Sequence, residues 1–158
     1  MASVPFVRAL TLFLASASAL AGCGADPDLR LDVVDVQLMA EDTSWRASYL
    51  LQQPSKGAMQ IATGREVHVP LGADVTLRLA SRAYIADFAL PQFGLRDFAA
   101  PDLPSQLHFR ADRAGRFDVR GDELCGRPHT DKTRGWLVVE DAAAYRVWMH
   151  ERARDMNR

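Results

Sequence analysis

Val69-Pro70-Leu71-Gly72-Ala73-Asp74-Val75-Thr76-Leu77-Arg78-Leu79-Ala80-Ser81 is the stretch on which the fold turns. Val75, Leu77 and Leu79 alternate with Thr76, Arg78 and Ala80, the period of a strand that buries one face. Just upstream, Val67 and Val69 alternate with Glu66 and His68. Between the two runs stands Leu71-Gly72-Ala73-Asp74, where glycine and aspartate favour a turn. The stretch therefore reads as strand, turn, strand.

The same period recurs on both sides. Val34, Val36 and Leu38 alternate with Asp35 and Gln37, and Trp45, Ala47, Tyr49 and Leu51 form another apolar file. Leu107, Phe109 and Ala111 alternate with His108 and Arg110, Phe117 and Val119 with Asp118 and Arg120, and Trp136 to Val139 is a last apolar strand. Pro54 to Gly57, Pro101 to Pro104 and Arg113-Ala114-Gly115 supply turns. Many short strands so closely punctuated predict a β-sandwich or barrel. Only the tail changes period: Asp141 is placed to cap a helix on which Ala144, Tyr145, Trp148 and Met149 share a face.

The first residues read as an address. Arg8 gives a positive start, and Leu10 to Ala21 an apolar run shorter than the roughly 20 residues a membrane span requires. The run ends in Leu20-Ala21-Gly22-Cys23, which resembles the lipobox of bacterial lipoproteins. The expected organisation is a signal peptide over residues 1–22, a lipidated Cys23 with a tether over 23–30, and one domain over 31–158. With Cys23 lipidated, Cys125 has no intrachain disulfide partner. The 158 residues are 48% apolar and 25% charged with a net charge of −1, as in an ordinary folded domain. No basic block marks a phosphate-binding face, so nucleic acid is not an expected partner.

Three stretches carry a family resemblance. The first is Val69 to Ser81 running on through Asp87-Phe88-Ala89-Leu90-Pro91-Gln92-Phe93-Gly94-Leu95-Arg96. The second is Ala114-Gly115-Arg116-Phe117. The third is Glu123-Leu124-Cys125-Gly126-Arg127-Pro128-His129, followed by the Trp136 strand and the Trp148 helix. In this order they resemble the soluble periplasmic domain of cytochrome c oxidase subunit II, from about Val34 to Trp148. The resemblance implies an all-β, cupredoxin-like Greek-key sandwich with a short C-terminal helix, which in that family holds the binuclear CuA centre.

Carried over position by position, the copper site is degenerate. The family's first His falls on Ala86 and its first Cys on Gly121. The Glu that offers a backbone carbonyl is Glu123, the second Cys is Cys125 and the second His is His129, while the Met falls on Lys132. Trp45 matches the tryptophan that receives electrons from cytochrome c, with Ala47 where the family has a second Trp. CuA is bridged by two thiolates and only one remains, which cannot bridge both coppers symmetrically, and without an upstream His the usual mononuclear blue-copper set is also incomplete. No functional CuA centre is expected, and no cofactor. On this reading, Ala86→His, Gly121→Cys and Lys132→Met together restore every side-chain ligand. Cys125 and His129, with Asp122 and Asp131 nearby, are alternatively a weak copper or zinc site, a packed thiol and a hydrogen-bonded imidazole, or a reactive thiol. His68, His108 and His150 read as solvated.

The function implied is that of a subunit II-like lipoprotein, an accessory or non-CuA partner of a respiratory haem–copper oxidase rather than an enzyme by itself. Quinol oxidases within the family's logic keep the sandwich without copper. The alternative is a periplasmic copper carrier or sensor using Cys125 and His129. Either way the domain is exported, faces the periplasm and is held to a membrane by lipid. At about 0.8 kcal/mol per buried CH₂, a multiply acylated cysteine holds a small domain firmly. Mature protein should accordingly fractionate with membranes, and Cys23→Ser should release it or leave uncleaved precursor. A mature N-terminus at another residue, without added lipid in mass spectrometry, contradicts this.

Overall fold

The structure is a computed structural model that describes residues 31–41, 44–53, 57–121 and 135–156. Glu123, Cys125, His129 and Lys132 lie outside those residues, as does Cys23 with the whole of the leader and tether. The fold is the expected all-β, cupredoxin-like sandwich with one short C-terminal helix.

The first sheet has five strands, β1 (Val33–Glu41), β2 (Ser44–Gln53), β3 (Gly57–Gly64), β5 (Asp74–Ser81) and β8 (Ser105–Arg110), in the order β3-β2-β1-β5-β8. All neighbours are antiparallel except β1 and β5, which run parallel with Val36 opposite Leu77. Parallel neighbours cannot be joined by a tight turn. Between them the chain crosses to the second sheet as β4 (Glu66–Pro70) and comes back through the Leu71–Gly72 turn. Gly72 makes that return possible. Its φ of 86° is a conformation side-chain-bearing residues avoid, although a Cβ there would touch nothing. The turn is pinned by Leu71 N–H donating to the Glu140 carbonyl at 2.7 Å and Gly72 N–H to the Ala111 carbonyl at 2.8 Å.

The second sheet contains β4, β9 (Gly115–Val119) and β10 (Gly135–Glu140) in the order β4-β10-β9. A hairpin of β6 (Ala86–Leu90) and β7 (Leu95–Ala99) joins it through Arg120. The N–H groups of Ala89 and Arg120 each donate to the other's carbonyl at 2.9 Å.

The inward files are those that the alternation singles out. Val34, Val36 and Leu38 of β1, Trp45, Ala47 and Tyr49 of β2, and Val75, Leu77 and Leu79 of β5 are all buried. Leu137 and Val139 are buried in β10, whereas Trp136 lies half-exposed beneath the Arg116 guanidinium, 4.3 Å from its ring. Asp112, Arg113, Arg116 and Arg120 are exposed, whereas Asp118 is half-buried. The exposed Arg113–Asp112 pair contributes little.

Two readings need correction. The pattern gave no warning of β3, whose Gly57, Ala58 and Gly64 blur the alternation, nor of the β6–β7 hairpin. His68 is buried rather than solvated, at 8% exposure. It belongs to an edge strand covered by the C-terminal helix, a tertiary cover that no local period reveals.

That helix, α1, spans Ala142–Asp155. The Asp141 carboxylate accepts from the N–H groups of Ala143 and Ala144 at 2.9 and 3.0 Å, satisfying donors that the first turn leaves unpaired. Tyr145 and Met149 face the core. No helix among the described residues is long and apolar enough to cross a membrane. Asp141→Ala should cost about 0.5–2 kcal/mol, read as a lower urea midpoint with an unchanged slope. An unaltered midpoint would mean that tertiary contacts alone hold the helix start.

Candidate functional site

The candidate site lies where β2, β6 and the chain leaving β9 converge. Strand β6 opens with Ala86, whose side chain points inward at 3% exposure opposite Ala99 of β7. Two residues on, Phe88 is fully buried and meets Trp45 of β2 edge to face, with ring centroids 5.5 Å apart. Such an aromatic pair adds about 0.5–1.5 kcal/mol beyond the area it buries. Trp45 is itself only 4% exposed.

Gly121 completes the junction. A Cβ built on it falls 2.2 Å from Trp45 Nε1, 2.7 Å from Trp45 Cδ1 and 2.9 Å from the Asp87 carbonyl oxygen. These separations lie far inside van der Waals contact. The structure thus brings together Ala86, Gly121 and Trp45, three of the positions that the family pattern singles out. Neither of the two ligand positions among them offers a donor atom: one is a packed methyl, and the other is filled by an indole. As they stand, these residues do not fit a binuclear copper centre. Nor do three or more His, Cys, Asp or Glu side chains come together to hold a metal anywhere among the described residues. Restoring every ligand by exchange at 86, 121 and 132 also meets a correction here, because no room exists for a side chain at 121.

A second polar cluster sits under α1. The Tyr49 hydroxyl accepts from the His68 N–H at 2.6 Å and donates to the His68 carbonyl at 2.8 Å. Both backbone groups point off the open edge of β4, so one phenol does there what a further strand would do. The His68 ring stacks on Trp148 with centroids 4.0 Å apart, and its Nδ1 lies 2.8 Å from Glu140 Oε1. A carboxylate only accepts, so Nδ1 carries the proton in that contact. Nε2 is buried without a hydrogen-bond partner, 3.6 Å from Glu66 Oε2. The arrangement clamps the helix to the sandwich. Sequence reasoning missed this cluster because its members are dispersed through the chain.

Burial pushes the Tyr49 phenol well above its ordinary value, and the neighbouring Tyr145 adds to this. The Tyr145 phenol is raised as well, by burial first and then by the Glu140 carboxylate.

Comparison with known proteins places this geometry. A family model described as cytochrome c oxidase subunit II, periplasmic domain, matches residues 37–139. Cytochrome c oxidase subunit 2 of Thermostichus vulcanus is 32% identical over 130 residues, 82% of this chain and 37% of that protein. The alternative cytochrome c oxidase subunit 2 of Bradyrhizobium diazoefficiens is 31% identical over 86 residues, 54% of this chain and 31% of its own length. The chain thus spans about a third of the curated relatives it matches. Among solved structures, the periplasmic domain of subunit II of cytochrome oxidase from Bradyrhizobium japonicum superposes with a TM-score of 0.64 at 20% identity. The match covers 77% of this chain and 94% of that one.

The raised tyrosines set an alkaline limit. A phenol whose folded value lies above its unfolded one contributes stability fully below pH 10, and loses it as pH rises towards the folded value. Stability should therefore fall as pH climbs past about 10. Tyrosinate absorbance from Tyr49 and Tyr145 should appear only together with loss of the far-ultraviolet β signal. Free titration of all three tyrosines in the folded protein contradicts this burial.

Proposed function

Because the chain belongs to the cytochrome c oxidase subunit II family through its periplasmic domain, we propose that it serves a respiratory haem–copper oxidase as a subunit without a CuA centre. Its likeness to subunits of cytochrome c oxidases from several bacteria supports the partnership. A heme-copper terminal oxidase dimer is also among its structural neighbours, with a TM-score of 0.53. The domain faces the periplasm and is held to the membrane through Cys23.

One observation carries the copper-free half of this reading: the positions of the first His and the first Cys are occupied by core packing, at Ala86 and against Trp45 at Gly121. A docked domain of this kind contributes a surface and a rigid scaffold, and electrons reach the oxidase without passing through it. The protein is then no enzyme by itself.

The test is purification of the tagged full chain from native membranes in mild detergent, followed by protein identification and copper analysis after copper supply. Subunits of a haem–copper oxidase should co-purify, and the separated chain should hold far less than one copper per molecule. Absence of oxidase subunits would overturn the partnership. Two coppers per chain, with a thiolate–copper absorption band, would make it an electron carrier instead.

A further inference from the structure

We propose that Trp45 is a plug for the site of the first copper thiolate, and that position 121 is glycine because the indole takes the volume of any side chain there. The inference deepens the copper-free reading above and rests on the family positions, not on the identity of the oxidase partner.

Gly121 is not required by backbone conformation. Among the described residues the glycines with φ in the left-handed region are Gly64, Gly72, Gly94 and Gly115, and Gly121 is not among them. Space is what excludes a side chain, since a Cβ would stand 2.2 Å from Trp45 Nε1. Neither wall can easily give way. On one side Arg120 is tied to Ala89 through both its N–H and its carbonyl, and Asp87 is held in the hairpin opposite Phe98. The second contact, 2.9 Å to the Asp87 carbonyl, is therefore with pinned backbone. On the other side the indole is rigid, nearly fully buried, and packed edge to face on Phe88. Close-packed interiors absorb an added carbon only by displacing side chains from their preferred rotamers.

Trp45 and a side chain at 121 are thus alternatives for one volume. The tryptophan that matches the family's electron-receiving residue is turned here to packing. Restoring copper ligands by exchange at 86, 121 and 132 fails as long as Trp45 keeps its full indole.

A double-mutant cycle in the full-length protein tests this, with Gly121→Ala, Trp45→Phe and the pair compared by thermal melting. Gly121→Ala should lower the melting temperature by about 5 °C or more, and by less than half as much in the Trp45→Phe background. Equal drops in both backgrounds, or no drop in either, would overturn the plug. Should Gly121→Ala not fold at all, its rescue by Trp45→Phe reads the same coupling, and failure of that rescue overturns it. Copper analysis of the unaltered protein keeps the two ideas apart. Two coppers alongside intact coupling would sink the copper-free function and leave the plug, whereas a copper-free protein without coupling does the reverse.

Discussion

The inward face of β2 carries Trp45, Ala47 and Tyr49 in alternate positions, and both of its aromatic ends reach across to the opposite sheet. At about 3.4 Å per residue, the two rings are anchored roughly 13 Å apart along one strand. Tyr49 ties the first sheet to the open edge of β4 through a single hydroxyl, and Trp45 closes the far end against Phe88 and Gly121. Between them Ala47 leaves room where the family has a second tryptophan. The relative placement of the sheets, the seat of α1 and the packing beside Gly121 all depend on this one file of side chains.

The two ends serve different purposes. Around Tyr49 most buried polar groups find partners, the His68 backbone on the phenol and the imidazole Nδ1 on Glu140, with the ring stacked on Trp148 and Nε2 left without a hydrogen bond. Removing the phenolic oxygen would leave a buried N–H and carbonyl unsatisfied, at about 1–3 kcal/mol for each. At Trp45 the described contact is the edge-to-face packing on Phe88, which depends on shape. A ligand pocket requires convergent donors and an empty centre. Here the Trp45 indole takes the space beside Gly121, and positions 86 and 121 carry a methyl and a hydrogen. The chain retains the cupredoxin-like architecture of the family domain, with Ala86 buried and the space at Gly121 taken by Trp45.

Much of this was legible in the residues. Alternation along Val34–Leu38, Trp45–Tyr49 and Val75–Leu79 identified the inward files, because a half-buried strand has no other economical pattern. Asp141 announced the helix, since a carboxylate before an apolar 3.6-residue period has few other uses. Strand β3 stayed hidden because small residues carry little pattern, and His68 was misjudged because its cover comes from a helix some eighty residues away. At the site, the sequence supplied the residues at the family's ligand positions but not what packs against them. Gly121 looked like a simple deletion of a thiol. Its meaning as the partner of Trp45 required three dimensions, because residues 45, 87 and 121 meet only through the sandwich.

The central claim is that this end of the domain is packed rather than metal-binding, and the indole N–H of Trp45 reports on it directly. The measurement is the ¹H–¹⁵N spectrum of the isotopically labelled full chain in detergent as Cu(II) is added in steps to two equivalents. A packed, copper-free site predicts that the Trp45 indole signal stays sharp and unshifted, whatever weak binding occurs elsewhere on the surface. Its selective broadening beyond detection at stoichiometric copper would place a paramagnetic ion beside Gly121 and contradict the account.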